Sequence, residues 1–247
     1  MTSVRVAADG TRRRILVDGL EAAVVDRDDP TYLEFPYMRW IADVLDVGWR
    51  TEVPLQAVHI GAGGCVLPRY LAATRPGSHS EAYENDAAVL EALATLLDLR
   101  AERGLKARLG DGRELLAARG ARSADVVVTD AFAGPVVPVH LTTREFQDEV
   151  RRVLRPGGVH VVNVIDAPPG RVARRQAATL LDAFAEVVLL APRAVVAGRR
   201  TGNVVLAAAD RTLSIARLRG RAHGDHEVLD TAEVALLAEG AAVLRDR

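Results

Sequence analysis

Cysteine and lysine each occur once in these 247 residues, as Cys65 and Lys106. A single cysteine excludes an internal disulfide framework and suits a reducing compartment, so the cytoplasm is the expected location. The scarcity of lysine beside abundant alanine, valine, leucine and arginine points to a GC-rich genome and says nothing about mechanism. No apolar run approaches the roughly 18 residues that a membrane helix needs. Residues 1–18 alternate charged and apolar side chains and lack the continuous apolar core of a signal peptide. An excess of either charge is also missing. Thirty-two basic residues face 33 acidic ones, so no overall field recruits nucleic acid or an anionic membrane. The local run Arg12-Arg13-Arg14 reads as a solvated strand edge or turn. Internal repeats and low-complexity tracts are absent. Histidines 223 and 226 have no third ligand at suitable spacing, so no metal is expected.

The chain is long enough to bury a sizeable core, and its pattern divides it in three. Residues 1–50 read as a small antiparallel β-ribbon, with runs at Val4 to Ala8, Arg14 to Val17 and Glu21 to Val25, followed by a helix whose apolar positions Met38, Ile41, Val44 and Leu45 recur at helical spacing. Residues 51–210 alternate strand-length apolar runs with amphipathic helices. Strands fit Leu55 to Ile60, Glu81 to Tyr83, Lys106 to Leu109, Val126 to Thr129, Val159 to Ile165 and Glu186 to Leu190. Helices fit Val66 to Thr74, Ala87 to Leu99, Gly112 to Ala118, Thr143 to Leu154 and Arg171 to Phe184. That alternation predicts an α/β fold with a mainly parallel, Rossmann-like sheet, closed by an antiparallel edge strand at Val204 to Ala208. Residues 211–247 predict two short helices, near Thr212 to Leu218 and Thr231 to Ala238, packed on the core.

Polar groups recur where the predicted parallel strands end, which is where open α/β sheets bind ligands. Gly61, Gly63 and Gly64 follow the first strand, where glycine lets backbone approach a ligand closely. Glu84 stands 23 positions after Gly61, suited to ribose hydroxyls; Gly110-Asp111-Gly112 follow the third strand and Asp130 the fourth. Each has a plainer alternative: Asp86 and Asp111 are natural helix caps, and Glu84 fits a solvated helix approach. Asp130 ends the apolar run Val126-Val127-Val128, where a buried carboxylate needs a partner or a cleft.

His59-Ile60-Gly61-Ala62-Gly63, Tyr83-Glu84-Asn85-Asp86, Gly110-Asp111-Gly112, Val128-Thr129-Asp130-Ala131-Phe132 and Leu154-Arg155-Pro156-Gly157-Gly158 resemble, in that order, the motif series of spermidine synthases, the polyamine aminopropyltransferases. Leu33-Glu34-Phe35-Pro36-Tyr37 is similar to the segment before that family's cofactor domain, and the resemblance runs from about Leu16 to Ala209. It implies a class I methyltransferase sheet and a co-substrate that is decarboxylated S-adenosylmethionine or S-adenosylmethionine. It further implies Glu84 on the ribose, Asp111 at the adenine amino group beside Gly112, and Gly61 and Gly63 near the sulfonium. Asp130 would accept a proton from a small-molecule amine acceptor, and Tyr37 would contact that acceptor. A homodimer is implied as well. Glu34 and His140 are further acceptor-site candidates, His140 because its loop follows Asp130. The chain departs from the family pattern at Gly64 and Ala133, where the family carries aspartates, and at Arg39, where it commonly carries a glutamate. Those losses weaken the fit to a diamine and leave open a methyltransferase using S-adenosylmethionine itself, or a cofactor-binding protein without turnover.

Overall fold

The computed structural model describes residues 2–97, 104–222 and 224–246. At its start, β1 (Val4–Asp9), β2 (Arg12–Val17) and β3 (Leu20–Asp26) form an antiparallel sheet in that order. Three strands this short do not stand alone, and Ile15, Ala23 and Val25 bury their side chains in the main core. Helix α1 (Pro36–Gly48) follows. Proline at its start presets φ where no amide donor is required, and Met38, Ile41, Val44 and Leu45 form its buried stripe.

The chain then runs β4 (Gln56–Ile60), α2 (Val66–Thr74), β5 (His79–Glu84), α3 (Ala87–Leu96), β6 (Leu105–Leu109), α4 (Gly112–Ala117), β7 (Ala124–Thr129), α5 (Arg144–Val153), β8 (Leu154–Asp166), α6 (Arg171–Ala183), β9 (Glu186–Pro192), α7 (Arg193–Val196), β10 (Gly202–Ala209), α8 (Ile215–Arg221), β11 (His226–Leu229) and α9 (Thr231–Ala238). The expected helix from Ala87 to Leu99 is seen as far as Leu96; residues 98 and 99 lie outside the described residues.

Among the described residues the main sheet has the order β11-β9-β10-β8-β7-β4-β5-β6. Strands β4 to β8 are parallel to one another, while β10 is antiparallel to both β8 and β9. This is the Rossmann-like arrangement of class I methyltransferases. One expectation needs correction: β10 is antiparallel, but it lies inside the sheet between β8 and β9. Its residues Val204 to Ala209 are buried throughout, as an interior strand covered on both faces requires. A second correction concerns the last segment, where β11 pairs with β9 between the two helices and takes the edge.

Alternation of side chains along each strand divides the core. Ala57, Val126, Val128 and Val161 pack on one face beneath the ribbon, α1, α2 and α3. Val58, Ile60, Val127 and Val162 pack on the other against α5, α6 and α9. Strand β4 has β5 on one side and β7 on the other, so strand order reverses there and a crevice opens at the carboxyl ends.

Candidate active site

The backbone at the crevice is built by close approach of β4 and β7. Gly61 has φ +93, and a β-carbon there would lie 2.3 Å from the Asp130 carbonyl oxygen, so no other residue fits. The Gly61 amide donates to Tyr83 O at 2.8 Å, and the Asp130 amide to Ile60 O at 2.9 Å, which registers three strand ends together. A β-carbon at Gly63 would stand 3.9 Å from Asp130 Oδ2. The glycine turn and the carboxylate therefore border the same space.

Gly64 is different. Its φ is +70, and a β-carbon would meet Ala23 Cβ at 2.7 Å and Val25 Cγ2 at 3.0 Å. The ribbon thus seats directly on the turn, in space that a side chain would otherwise fill.

Glu84, the last residue of β5, accepts the amides of Ala62 at 3.2 Å and Asp86 at 3.1 Å. Burial pushes its carboxyl above the ordinary value, opposed by those hydrogen bonds. Asp86 caps α3 through the Ala88 amide at 2.8 Å. Asp111 is both a cap and a lining residue. Its Oδ1 accepts the amides of Arg113 and Glu114, while Oδ2 lies 2.8 Å from His140 Nε2. Burial pushes the Asp111 carboxyl up, but the Glu114 amide and His140 outweigh it and hold the carboxyl below its usual value. Gly112 packs on β4, for a β-carbon there would come 2.4 Å from Ile60 Cγ2.

Asp130 is partly exposed at the end of β7. Its Oδ1 accepts from Asn163 Nδ2 at 2.8 Å and its Oδ2 from the Tyr37 hydroxyl at 3.2 Å. Asn163 is fully buried, and its own Oδ1 accepts from Asn203 Nδ2 at 3.1 Å. Desolvation pushes the Asp130 carboxyl above the carboxylate range, and the two hydrogen bonds pull against it. Tyr37 is raised well above the ordinary phenol by burial first and by Asp130 second, so it stays a neutral donor. Phe35 stacks on Tyr37 with ring centroids 5.8 Å apart.

The structure brings together Gly61, Gly63, Glu84 and Asp130 with Tyr37. His140 lies against Asp111 instead of Asp130, and the Arg113 guanidinium donates both to the His140 carbonyl and, at 2.8 and 2.6 Å, to the two carboxylate oxygens of Asp246. Glu34 accepts from the Tyr32 hydroxyl and lies 3.9 Å from Arg14. Arg39 donates to the Leu33 carbonyl at 2.8 Å. The basic run of β2 is engaged as well, with Arg12 over the Tyr32 ring and Arg14 on Glu21. His223 lies outside the described residues; among those described, no group of three or more acidic, histidine or cysteine side chains is placed to hold a metal. No helix among them is long and apolar enough to cross a membrane.

Asn163 and Asn203 escape sequence reasoning. The signal was present, since the chain has only three asparagines and Asn163 interrupts the apolar run of β8. A buried amide in such a run needs partners, and here they are a second asparagine and the Asp130 carboxylate. Asp246 and Arg113 left no comparable trace, because 133 positions separate them.

No family model matches the chain. It is 30% identical over 155 residues to the polyamine aminopropyltransferase of Vibrio vulnificus, an alignment covering 62% of this chain and 50% of that protein. It is 28% identical over 172 residues to the polyamine aminopropyltransferase of Chromobacterium violaceum, covering 66% of this chain and 62% of that one. The chain thus spans between half and two thirds of the length of these curated relatives. A crystal structure of a probable spermidine synthase from Corynebacterium glutamicum matches at a TM-score of 0.91 with 27% identity, over 100% of this chain and 94% of that one. In sequence and in fold the chain is thus similar to spermidine synthases, the polyamine aminopropyltransferases.

Proposed function

We propose that the protein is a transferase that binds an adenosyl sulfonium donor and passes its aminopropyl group to a small amine. The observation that carries this reading is Asp130, a carboxylate raised by desolvation at the crevice, fixed by Asn163 and Tyr37, and facing the glycine turn. In the reaction the amine nitrogen attacks the carbon beside the sulfonium. The carbon–nitrogen bond forms as the carbon–sulfur bond breaks, its electrons return to sulfur, and methylthioadenosine leaves as a neutral thioether. The amine proton passes to Asp130, and no acid catalysis of departure is required.

The donor's nucleoside end fits the residues beside that carboxylate. Glu84 is held by two amides with lone pairs left for ribose hydroxyls, and Asp111 offers Oδ2 to the adenine amino group once His140 yields it. Gly61, Gly63 and Gly112 keep the backbone low along the donor. In this reading Tyr37 orients the acceptor, and Glu34 and His140 act from the periphery: Glu34 through Tyr32, His140 on Asp111. The ribbon of residues 1–50 covers the crevice, residues 51–210 bind the donor, and the segment from 211 packs on the core. A cytoplasmic homodimer without metal completes the proposal.

A second reading, a methyltransferase using S-adenosylmethionine, is favoured by Gly64. No acid stands there to repel the donor's amino-acid carboxylate, and the ribbon occupies the place of any side chain. Calorimetric titration with S-adenosylmethionine, its decarboxylated form and methylthioadenosine separates the two. Tighter binding of the decarboxylated donor is expected, and preference for the carboxylated one overturns the first reading.

A further inference from the structure

The carboxylates at the strand ends differ in what holds them. Glu84 takes the amides of Ala62 and Asp86, and Asp166 takes those of Ala167, Val172 and Ala173, donors whose direction the main chain fixes. Asp130 is held by side chains instead, the Tyr37 hydroxyl on Oδ2 and the Asn163 amide on Oδ1. A primary amide carries a donor at one end and an acceptor at the other, so a half-turn of its last torsion would put Asn163 Oδ1 where Nδ2 now lies. An ionised carboxylate gains from the first arrangement and is repelled by the second. The direction of this one amide therefore bears on the charge of Asp130.

Sheet register sets that direction. Strands β7 and β8 run parallel with Thr129 beside Val162, so one residue further on Asp130 comes beside Asn163. Strands β8 and β10 run antiparallel with Ile165 opposite Asn203, which makes Asn163, two residues before Ile165, the diagonal neighbour of Asn203 on the same face. Asn203 Nδ2 donates to Asn163 Oδ1 at 3.1 Å, and Asn163 Nδ2 to Asp130 Oδ1 at 2.8 Å, so two amide dipoles point in series at the carboxylate. Asn163 is fully buried, where an oxygen left without a donor is costly. Donors in series strengthen one another most when the last acceptor carries charge, and the reversed chain, ending on a protonated carboxyl, recovers less.

We infer that Asn203 is a positioning residue: it holds the Asn163 amide with its nitrogen toward Asp130 and so keeps that carboxylate ready to take a proton. The inference rests on the proposed role of Asp130, and its test includes a readout that needs no turnover. The Asp130 side-chain carboxyl is followed across pH by carbon-13 NMR on the full chain, its signal identified as the one lost in Asp130→Asn. Wild type is compared with Asn203→Leu, Asn203→Gln, Asn163→Leu and the double variant N163L/N203L, and kcat/KM for methylthioadenosine release from decarboxylated S-adenosylmethionine and putrescine is profiled alongside. Asn203→Leu, at a half-buried position, is expected to raise the carboxyl midpoint by about 0.5–1 pH unit and to carry the acidic limb of kcat/KM with it. Asn203→Gln keeps the amide and is expected to recover at least half of that rise. In the Asn163→Leu background the Asn203→Leu change is expected to add nothing, because the link it acts through is gone. A midpoint that stays or falls in Asn203→Leu overturns the inference. So does a glutamine variant as shifted as the leucine one, or an equal rise in the Asn163→Leu background, which would mark a direct or merely structural effect. Should wild type release no methylthioadenosine, the aminopropyl reading fails, and the NMR midpoints alone decide the role of Asn203 by the same criteria.

Discussion

At Asp130 two effects oppose each other: desolvation favours the protonated carboxyl, while the Asn163 amide and Tyr37 hydroxyl favour the carboxylate. Proton acceptance requires the ionised form, so activity is lost as pH falls through a value above the ordinary aspartate range. Removing either donor moves that acidic limb to higher pH. Asn163→Leu and Tyr37→Phe are both expected to do so in kcat/KM profiles, and a limb that stays in place or moves down contradicts the assignment. Asp130→Asn keeps the shape and can still accept from Asn163 through its amide oxygen while its NH2 donates to the Tyr37 oxygen, so methylthioadenosine affinity should hold within about twofold while kcat falls by roughly 10²–10⁴. Asp111 supports a separate expectation. His140 occupies Oδ2, the oxygen an adenine amino group would use, so His140→Ala should tighten methylthioadenosine severalfold by calorimetry. Weaker binding would mean that the imidazole helps hold the ring.

Among the elements, the turn between β4 and α2 ties the small sheet to the large one. The Gly64 position has a left-handed φ and Ala23 directly above it, so Gly64→Ala is expected to cost about 1–3 kcal/mol and lower the thermal midpoint. Pairing it with Ala23→Gly should recover the part due to the clash and leave the backbone strain. Much of this architecture could be read before folding. Strands β4, β7 and β8 are mostly apolar runs that end at Gly or Asp, and helices such as α5 and α6 carry buried stripes at the right spacing. The place of β10 could not be read, because strand order depends on how a connection crosses the sheet, and an all-apolar run fits an edge or the interior of a sequence pattern equally well. β11 is four residues long, too short for any period to register. In the site, the glycines and the carboxylates at strand ends were legible because their positions follow from the parallel sheet. The Asn203–Asn163–Asp130 relay was not, since it joins β10 to β8 to β7 through the very order that sequence left open. The position of His140 was hidden for a similar reason: it follows Asp130 closely in sequence, and the loop carries it back to Asp111 at the start of α4.

Across the whole molecule, two histidines are folded into the core uncharged. Burial pushes His59 and His160 down to about 3, well below the ordinary value of 6.5. An unfolded chain takes up these protons between pH 6.5 and 3 while the folded one does not, so stability falls as pH drops through that window. Asp130 and Glu84, raised by burial, act in the opposite direction, but only above the ordinary carboxylate range. Thermal midpoints should therefore fall from pH 6.5 toward 4, and His160→Gln should flatten that slope by about one proton. A slope unchanged by the substitution would show that other groups dominate. What the assembled crevice transfers is read most directly from its product. Incubating the protein with an amine and an equal mixture of S-adenosylmethionine and its decarboxylated form, then identifying the nucleoside released by mass spectrometry, tests this in one step. Methylthioadenosine, formed with wild type and lost in Asp130→Asn, is the predicted result; S-adenosylhomocysteine in its place would contradict aminopropyl transfer.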